Sequence, residues 1–318
     1  MTENIYNLPK LSFVVTSYNY AEYVGECIDS ILAQTYKNTE IIVVDDHSRD
    51  KSVSVIKNKI EENKTEIKIK LITHEKNKGQ LASIFDGINA STGEFIACID
   101  SDDKICPNYA ISHISIHLNT ACALTVCEQL ETDENSTLLS VNSPFQPNLE
   151  NIDITEIKSE FENITKYYNI KILDKKKQFF GGWWWAPTSC GVFRKAAIIP
   201  FLTFHKQNNW RTSPDKLLFN FLHLTGGSVK IYEPLVMYRR HGNNAGICNS
   251  IMGNTRFNPD SARKNYIKNQ KNIYLDTIEF FRENRKKLKE IYSSKHYNRM
   301  LFEIYLSIPK MLLYKLKH

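Results

Sequence analysis

The stretch EFIACIDSDDK, residues 94–104, joins an apolar segment directly to three carboxylates. Its first six residues are nearly all apolar, which is typical of a β-strand that is covered on both faces. The three aspartates therefore lie at the carboxyl end of the predicted strand. Ligands of open α/β sheets bind at that end, where fixed carboxylates can share a cation with a phosphorylated ligand. A simple polar turn is the alternative, because Asp is common in turns.

The residues before this stretch alternate apolar segments with segments of helical spacing. Strands are predicted at residues 11–15, 40–44 and 68–73, and helices at residues 23–34, 51–63 and 80–90. Such alternation is typical of a mostly parallel sheet with right-handed crossovers. We therefore predict a doubly wound α/β domain.

Three predicted strand ends bring polar residues to the same edge of this sheet. They are Thr16-Ser17-Tyr18-Asn19, Asp45-Asp46-His47-Ser48 and Asp100-Ser101-Asp102-Asp103. Unrelated turns have no reason to concentrate polar side chains in one crevice. The convergence therefore indicates a ligand site more strongly than the D-x-D spacing does alone.

The pattern is weaker from about residue 107 to residue 177. Beyond that segment we predict a helix at 215–224 and a strand at 229–231, after one earlier strand at 121–126. Three adjacent indoles, Trp183–Trp185, cannot all face one core. A platform for sugar stacking, core packing and anchoring at a membrane interface all remain open as their role.

The charge of the chain is mildly positive. The chain has 318 residues, 42% of them hydrophobic, and a formal net charge of +6. Much of the positive charge lies in a tail from about residue 261, where helical spacing mixes apolar clusters with Lys and Arg. Such helices lie on anionic membranes or pack on their own domain, and both readings remain open. No nucleic-acid-binding motif accompanies the charge, so we expect no nucleic-acid partner.

The cysteines and the termini indicate a compartment. Seven cysteines are scattered without a CxxC pair or a zinc-binding spacing, so we expect reduced thiols. We find no export signal at the start, and no apolar run reaches the ~20 residues that span a bilayer. We expect a cytoplasmic protein, and the tail leaves peripheral contact with the inner face of the cell membrane open.

A series of short motifs is spread over two parts of the chain. The first part covers roughly residues 1–110 and carries Val14–Asn19, Val43–Asp50, Asn77–Gly79 with Ala82 and Gly87, and Ile99–Asp103. The second part carries Asp215–Leu218 and Tyr238–Asn244. Each motif is weak alone, but in this order and spacing they resemble glycosyltransferase family 2, whose members have the GT-A fold.

The resemblance implies an inverting enzyme with a nucleotide-sugar donor, most directly a UDP-sugar. It implies that Thr16, Tyr18 and Asp46 contact the base and ribose, and it places Asn77 and Lys78 in the donor site. Tyr18 offers a stacking face and Asp46 a hydrogen-bond acceptor. A strand-end turn and a helix N-cap are the structural alternatives for these positions.

The resemblance also assigns roles to the D-x-D motif. By similarity, Asp100 meets the ribose and Asp102 holds a divalent cation, Mn²⁺ or Mg²⁺. A diphosphate leaving group needs its growing negative charge neutralised, and such a cation does so as a Lewis acid.

The second group of motifs implies the catalytic base. By resemblance, Asp215 removes the proton of the acceptor hydroxyl, with Ser213 as N-cap and Pro214 as an early helical residue. The alternative is an acid that is favoured in the first turn by the helix dipole.

The basic loop after the last predicted strand is expected to close over the diphosphate. Arg239 and Arg240 would contact the donor there, and His241 would be a second metal ligand. A solvated basic loop is the alternative.

His47 departs from the family pattern, which commonly has glycine at this position of the Asp-Asp turn. A residue other than glycine is tolerable there if φ is negative, or if the backbone accepts a modest penalty. The detailed geometry of this turn is therefore not predictable from the resemblance.

We divide the chain into a nucleotide-sugar-binding half at 1–110, an acceptor-binding and catalytic-base half at 111–250, and a helical, basic, amphipathic tail at 251–318. The resemblance implies a metal-dependent glycosyltransferase that acts on a glycan or lipid-linked acceptor in surface polysaccharide synthesis. A non-catalytic sugar-nucleotide or glycan-binding module on the same fold is the alternative. A phosphatase is disfavoured, because its D-x-D would lie on the first strand rather than the fourth.

Overall fold

Strands and helices alternate through the first third of the chain, as predicted. The structure, a computed structural model, describes residues 8–140, 170–173, 187–207, 210–211, 214–241 and 276–317. The first elements are β1 (Leu11–Ser17), α1 (Val24–Leu32), β2 (Thr39–Asp45), α2 (Ser52–Glu62), β3 (Lys68–Thr73), α3 (Gln80–Ala90) and β4 (Phe95–Asp100).

The later elements are less regular. They are β5 (Lys104–Ile105), α4 (Tyr109–Asn119), β6 (Leu124–Thr132), β7 (Leu138–Ser140), β8 (Ile170–Leu173), β9 (Gly191–Arg194), α5 (Lys195–Ile198), α6 (Asp215–Gly226), β10 (Ser228–Arg239), α7 (276–283) and α8 (Arg285–Lys317). Short 3₁₀ helices at Thr188–Cys190 and Ile199–Thr203 flank β9 and α5.

One ten-stranded sheet runs through the molecule in the order β3-β2-β1-β4-β9-β6-β10-β5, with β7 on β6 and β8 on β10. The first four strands are parallel, and so are β6 and β10. β9 runs antiparallel to both β4 and β6. The predicted α/β fold is therefore confirmed, with a parallel half and a mixed half. The division at residue 110 falls within this continuous sheet and stays a prediction.

Helices cover both faces of the parallel half. Apolar residues of α1 and α2 pack into one core cluster, and those of α3 pack into another. The chain thus changes face between β1 and β4. This is the switch point at which doubly wound sheets open a crevice for ligands.

Strand β5 brings the end of the sequence stretch EFIACIDSDDK to the end of β10. Ile105 pairs with Val236 and Lys104 with Met237, antiparallel. The residues just before β5 and just after Met237 therefore lie side by side. Two segments that are more than 130 residues apart in sequence meet at the crevice in this way.

The tail packs largely on its own domain over the residues whose side chains the structure describes. Ring contacts join Phe280 and Phe281 to Phe201 and Phe221. Further buried tail residues are Ile278, Leu288, Tyr297, Met300 and Ile304, whereas Ile291 and Phe302 are exposed. Two helical segments of α8 meet at Ser293, where φ is +64°.

Among the described residues, no helix combines the length and apolarity that crossing a membrane requires. Peripheral contact of the tail stays a prediction. The predicted tryptophan cluster Trp183–Trp185 lies outside the described residues.

The cysteines in the described part of the chain are unpaired. They are Cys27, Cys98, Cys106, Cys122, Cys127 and Cys190, and all except Cys106 are buried. Burial raises the pKa of the Cys98 thiol and of the Cys27 thiol. Such thiols are protonated and weakly reactive, in accord with the expected reduced state.

A buried ion pair joins strands β6 and β10. Lys230 Nζ lies 2.7 Å from Glu128 Oε1, and the two side chains are 6% and 5% exposed. The ammonium group also lies 5.6 Å from the centre of the Tyr232 ring. Two charges withdrawn from water in this way stabilise the fold only as a pair.

We expect Lys230→Met to lower the free energy of unfolding by about 3 kcal/mol, because it leaves the Glu128 carboxylate buried without its counter-charge. The double variant Lys230→Met/Glu128→Leu should recover most of this loss. Unfolding in urea measures both. The exposed pair Lys59–Asp29, with a 2.6 Å separation, is the matched control, and Lys59→Met should cost less than about 1 kcal/mol. Equal losses for Lys230→Met and Lys59→Met would contradict this account.

Candidate active site

The ends of β1 and β4 meet at the crevice that the sequence predicts. Thr16 and Asp100 are direct partners in the parallel register, and Thr16 Oγ1 lies 3.5 Å from Asp100 Oδ1. The same oxygen accepts a 2.6 Å hydrogen bond from Gln80 Nε2. Sequence reasoning missed Gln80, because nothing about the first residue of a helix indicates that its amide reaches a carboxylate on another strand.

Asp102 and His241 come together from two distant parts of the chain. His241 Nε2 lies 3.0 Å from Asp102 Oδ2, and the side chains are 3% and 10% exposed. The imidazole ring packs edge-on to Tyr20, at 5.5 Å between ring centroids, and stacks on Tyr23 at 5.1 Å. The two predicted metal ligands are therefore adjacent and held by aromatic neighbours.

This pair fits a divalent cation. Two ligand atoms that share an octahedral cation at about 2.1 Å lie about 3 Å from each other. Asp102 Oδ2 and His241 Nε2 have that separation. Mg²⁺ usually keeps several positions for water and for substrate phosphate, so two protein ligands are sufficient. The metal itself stays a prediction.

Asp103 joins three segments of the chain. Its Oδ2 accepts a 2.6 Å hydrogen bond from Ser189 Oγ, and its Oδ1 accepts a 3.1 Å bond from the backbone N–H of Arg239. Ser189 Oγ in turn accepts a 3.0 Å bond from the N–H of Asp100. Both Asp103 and Ser189 are buried. Sequence reasoning missed Ser189, which links Asp103 to the N–H of Asp100.

The crevice concentrates negative charge. Burial raises the pKa of the Asp100 carboxyl well above its usual range, and the charges of Asp102 and Asp215 raise it further. Burial also raises the pKa of Asp103, with added repulsion from Asp102 and Asp100. The pKa of the Tyr20 hydroxyl is raised by burial and by Asp102. A cation at this position would offset the repulsion.

Arg239 is built into the scaffold. Its guanidinium donates to the carbonyl of Asp102 at 2.9 Å, to the carbonyl of Glu134 at 2.6 Å and to the Glu26 carboxylate at 2.8 Å. It also lies 4.7 Å from the centre of the Tyr23 ring. Arg239 thus fixes the crevice wall, and its predicted contact with a diphosphate stays a prediction.

Arg240 points to the other side of β10. Its Nη2 lies 2.8 Å from Glu131 Oε1, and the side chains are 14% and 1% exposed. Its backbone N–H donates to the carbonyl of Thr132 at 2.7 Å. The predicted donor contact of Arg240 likewise stays a prediction.

Asp46 holds the turn that precedes α3. Its Oδ1 accepts a 2.7 Å hydrogen bond from the N–H of Lys78, and its Oδ2 accepts a 2.7 Å bond from the N–H of Gly79. His74 Nδ1 lies 2.8 Å from Asp46 Oδ1. The predicted donor-site residues Asp46 and Lys78 are therefore brought together. Sequence reasoning missed His74.

The turn at Asn77–Gly79 packs against the segment before α6. Asn77 Oδ1 accepts a hydrogen bond from Arg211 Nη2. Gly79 has φ of +95°, and an added Cβ there would lie 2.9 Å from Arg211 Cα. Only glycine fits this close approach. The two halves of the crevice thus touch at residues 77–79 and 211.

Tyr18 and Asp215 differ in their exposure to solvent. Tyr18 follows β1 and is 42% exposed, so its ring is accessible to a planar ligand. Asp215 begins α6 and is buried. Its charge contributes to the raised pKa of Asp100, so the two carboxyls are close. The predicted N-cap Ser213 lies outside the described residues.

His47 adopts the left-handed backbone conformation that the family's glycine favours. Its φ is +67°, and its side chain is exposed. The turn is closed by Asp45, whose carboxylate accepts bonds from the N–H and Oγ of Ser48 at 2.9 and 2.6 Å. The backbone thus keeps the turn and accepts the penalty of a Cβ, which is smaller for His than for branched residues.

The chain is similar in sequence to known glycosyltransferases. The model of the family described as glycosyl transferase family 2 matches residues 12–198. An uncharacterized glycosyltransferase of Haemophilus influenzae is 27% identical over 325 residues, which cover 98% of this chain and 90% of that protein. The putative glycosyltransferase EpsH of Bacillus subtilis is 43% identical over 101 residues, which cover 32% of this chain and 28% of that protein.

The fold is similar to that of TarS from S. aureus. The structure of TarS 1–349 has a TM-score of 0.58 and covers 93% of this chain and 70% of its own. The same fragment in complex with UDP-GlcNAc has a TM-score of 0.54 and covers 93% and 71%. Sequence identity is 14% in both cases, so the likeness concerns the fold alone. The predicted GT-A fold is confirmed.

We expect His47→Gly to raise the free energy of unfolding by about 0.5–1 kcal/mol, since glycine adopts positive φ without steric strain. The matched control is Asn19→Gly, also at positive φ of 58°. Asn19 Oδ1 accepts a 2.8 Å hydrogen bond from the N–H of Arg49. Asn19→Gly loses this bond, so its free energy of unfolding should not rise. Urea unfolding of both variants checks the difference, and a His47→Gly variant less stable than wild type would refute it.

Proposed function

This chain belongs to glycosyl transferase family 2, and from that premise we propose that it transfers a sugar from a UDP-sugar to a hydroxyl of a glycan or lipid-linked acceptor. The transfer inverts the anomeric centre and uses a divalent cation. The observation that carries the proposal is the meeting of Asp100, Asp102 and His241 at one crevice, with Asp215 close to Asp100. Glycosyltransferase activity follows from the family, and the donor, metal and acceptor are proposed.

Asp215 is suited to the role of general base. It is a buried carboxylate at the first turn of a helix, close to the carboxyl of Asp100. In the proposed step the acceptor oxygen forms a bond to the anomeric carbon, and the bond from that carbon to the diphosphate oxygen breaks. The acceptor proton passes to Asp215, which holds it until it is lost to water.

The acceptor capacity of Asp46 favours a uracil base. A carboxylate offers about four acceptor positions, and three are filled by His74 and the N–H groups of Lys78 and Gly79. One position on Oδ2 remains, which suits the single imino N–H of uracil better than the two adjacent donors of guanine. The structures of TarS with UDP and UDP-GlcNAc support the same choice by analogy of fold.

Asp102 and His241 would hold the cation, Mn²⁺ or Mg²⁺. When bound, it stabilises the negative charge that develops on the leaving diphosphate. A bound cation would supply positive charge that Arg239 does not, because the Arg239 guanidinium bonds to Glu26 and to two backbone carbonyls. The ring stack on Tyr23 fixes the imidazole for this role.

Surface polysaccharide synthesis at the inner face of the cell membrane remains our proposal for the pathway. The described part of the tail carries Lys and Arg on its exposed positions, with Phe302 exposed among them. Such a surface suits a lipid-linked acceptor held at an anionic membrane.

The donor and the metal are tested together by calorimetry. UDP, GDP, dTDP and CMP are titrated, each with and without Mn²⁺, into wild type and Asp102→Asn. We expect UDP to bind with Mn²⁺, and Asp102→Asn to weaken that binding at least about 10-fold, because one of two protein ligands is lost.

Asp29→Asn, on the exposed outer surface of α1, controls for the loss of one negative charge and should bind UDP as wild type does. If no nucleotide binds, or if Asp102→Asn binds UDP and Mn²⁺ as tightly as wild type, the proposed donor site is wrong.

The base is tested by turnover. With UDP-sugars and simple glycoside acceptors, UDP release by Asp215→Asn should fall at least about 100-fold in kcat. Its affinity for UDP with Mn²⁺ should stay within about 3-fold of wild type, because Asp215 acts on the acceptor.

Turnover that survives Asp215→Asn would exclude Asp215 as the base. A wild type that binds UDP with Mn²⁺ and turns over no donor would instead favour the non-catalytic binding module.

A further inference from the structure

His74 lies between two carboxylates at the nucleoside end of the crevice. Its Nδ1 is 2.8 Å from Asp46 Oδ1, and its Nε2 is 2.9 Å from Asp86 Oδ2. The imidazole is 3% exposed. Both ring nitrogens thus face acceptors, a setting that fixes the ring in two directions.

The contacts of His74 belong to a closed network of four residues. Asp86 Oδ2 also accepts a 2.9 Å bond from Lys78 Nζ. The N–H of the same Lys78 donates to Asp46 Oδ1 at 2.7 Å. The network therefore links Asp46 to His74, His74 to Asp86, Asp86 to Lys78, and Lys78 back to Asp46.

His74 is distinct among the donors to Asp46. The other two donors are backbone N–H groups of Lys78 and Gly79, whose places are fixed by the turn. The imidazole of His74 is the side chain that sets the rotation of the Asp46 carboxylate. That rotation decides where the remaining acceptor position on Oδ2 points.

We propose that His74 is a positioning residue of the donor site. It aims the Asp46 carboxylate at the base of the nucleotide, and through Asp86 it holds the ammonium group of Lys78 beside the same site. His74 touches no reacting atom, so it acts on donor binding and leaves the transfer step unchanged. The inference rests on the proposed contact between Asp46 and the base.

The variants His74→Phe and His74→Asn separate the hydrogen bond from the shape of the ring. Phenylalanine keeps a planar ring and loses both bonds. The amide nitrogen of asparagine lies near the position of Nδ1, so His74→Asn keeps the bond to Asp46 and loses the bond to Asp86. The readouts are the Kd for UDP with Mn²⁺, and KM for the donor against kcat.

We expect His74→Phe to raise the Kd and the donor KM by about 10-fold or more, the value of one hydrogen bond to a charged group. The variant should keep kcat within about 3-fold. His74→Asn should recover most of the lost affinity. A buried histidine on α4, His113, whose Nδ1 lies 2.7 Å from Thr125 Oγ1, gives the matched control His113→Phe, which should leave the Kd for UDP unchanged.

Asp86→Asn covers the case in which His74→Phe does not fold, since the Asp86 side chain is 37% exposed. It removes the charge that holds Lys78, and the Kd for UDP should rise about 3-fold or more with kcat retained. Wild-type affinity in Asp86→Asn, or in a folded His74→Phe, would overturn the inference. Equal losses in His74→Asn and His74→Phe would overturn it as well.

Failure of the proposed function gives a different pattern. If the proposed donor site is wrong, wild type itself binds no nucleotide, and this inference falls with it. If wild type binds UDP and Asp102→Asn loses it, while the His74 variants bind normally, the inference about His74 alone is wrong.

Discussion

The buried carboxylate of Asp103 ties together the parts of the chain that form the crevice. One oxygen accepts a hydrogen bond from the hydroxyl of Ser189, which precedes β9. The other accepts a hydrogen bond from the backbone N–H of Arg239 at the end of β10. Asp102 and His241 lie within two residues of these contacts, and the N–H of Asp100 is bonded to the same serine. The spacing of the candidate metal ligands thus depends on a residue that need not touch any ligand. Burial raises the pKa of the Asp103 carboxyl, while its two oxygens orient the segment before β9 and the end of β10.

Dipoles, more than counter-charges, hold the acids of this crevice. Asp100 is met by the amide of Gln80 and Asp103 by a hydroxyl and a backbone N–H. The guanidinium of Arg239 donates hydrogen bonds to Glu26 and to backbone carbonyls. The crevice therefore keeps an excess of negative charge, which suits the proposed cation and, through that cation, the proposed diphosphate. If arginine side chains paired with these acids, the candidate metal ligands Asp102 and His241 would lie in a crevice without excess negative charge.

The elements that the sequence predicts well are those with a strong period and clear ends. β3 and α3 have the predicted bounds, and the polar strand ends after β1, β2 and β4 do converge. The predicted strand at 121–126 instead runs to Thr132, because its polar second half is satisfied by partners that sequence alone does not reveal, such as Lys230 for Glu128.

The candidate site shows the same division. Asp102, His241 and Asp46 were predictable from motif order, and the structure places them in the crevice. Gln80, Ser189 and His74 were not, because each contributes through a partner that is distant in sequence. The side-chain direction of Arg239 was also beyond prediction, since a basic residue after a strand can face a ligand or a neighbouring acid equally well.

The core cluster that covers one face of the sheet contains residues from Val14 to Ile304. Part of it is the aromatic contact between the tail and Phe201 and Phe221. During synthesis, this core cannot be completed until the ribosome has released residue 304, although the first strands emerge long before. The growing chain therefore carries an open apolar face from the emergence of its first strands until residue 304 has emerged. Chaperones can bind this exposed apolar face during that interval.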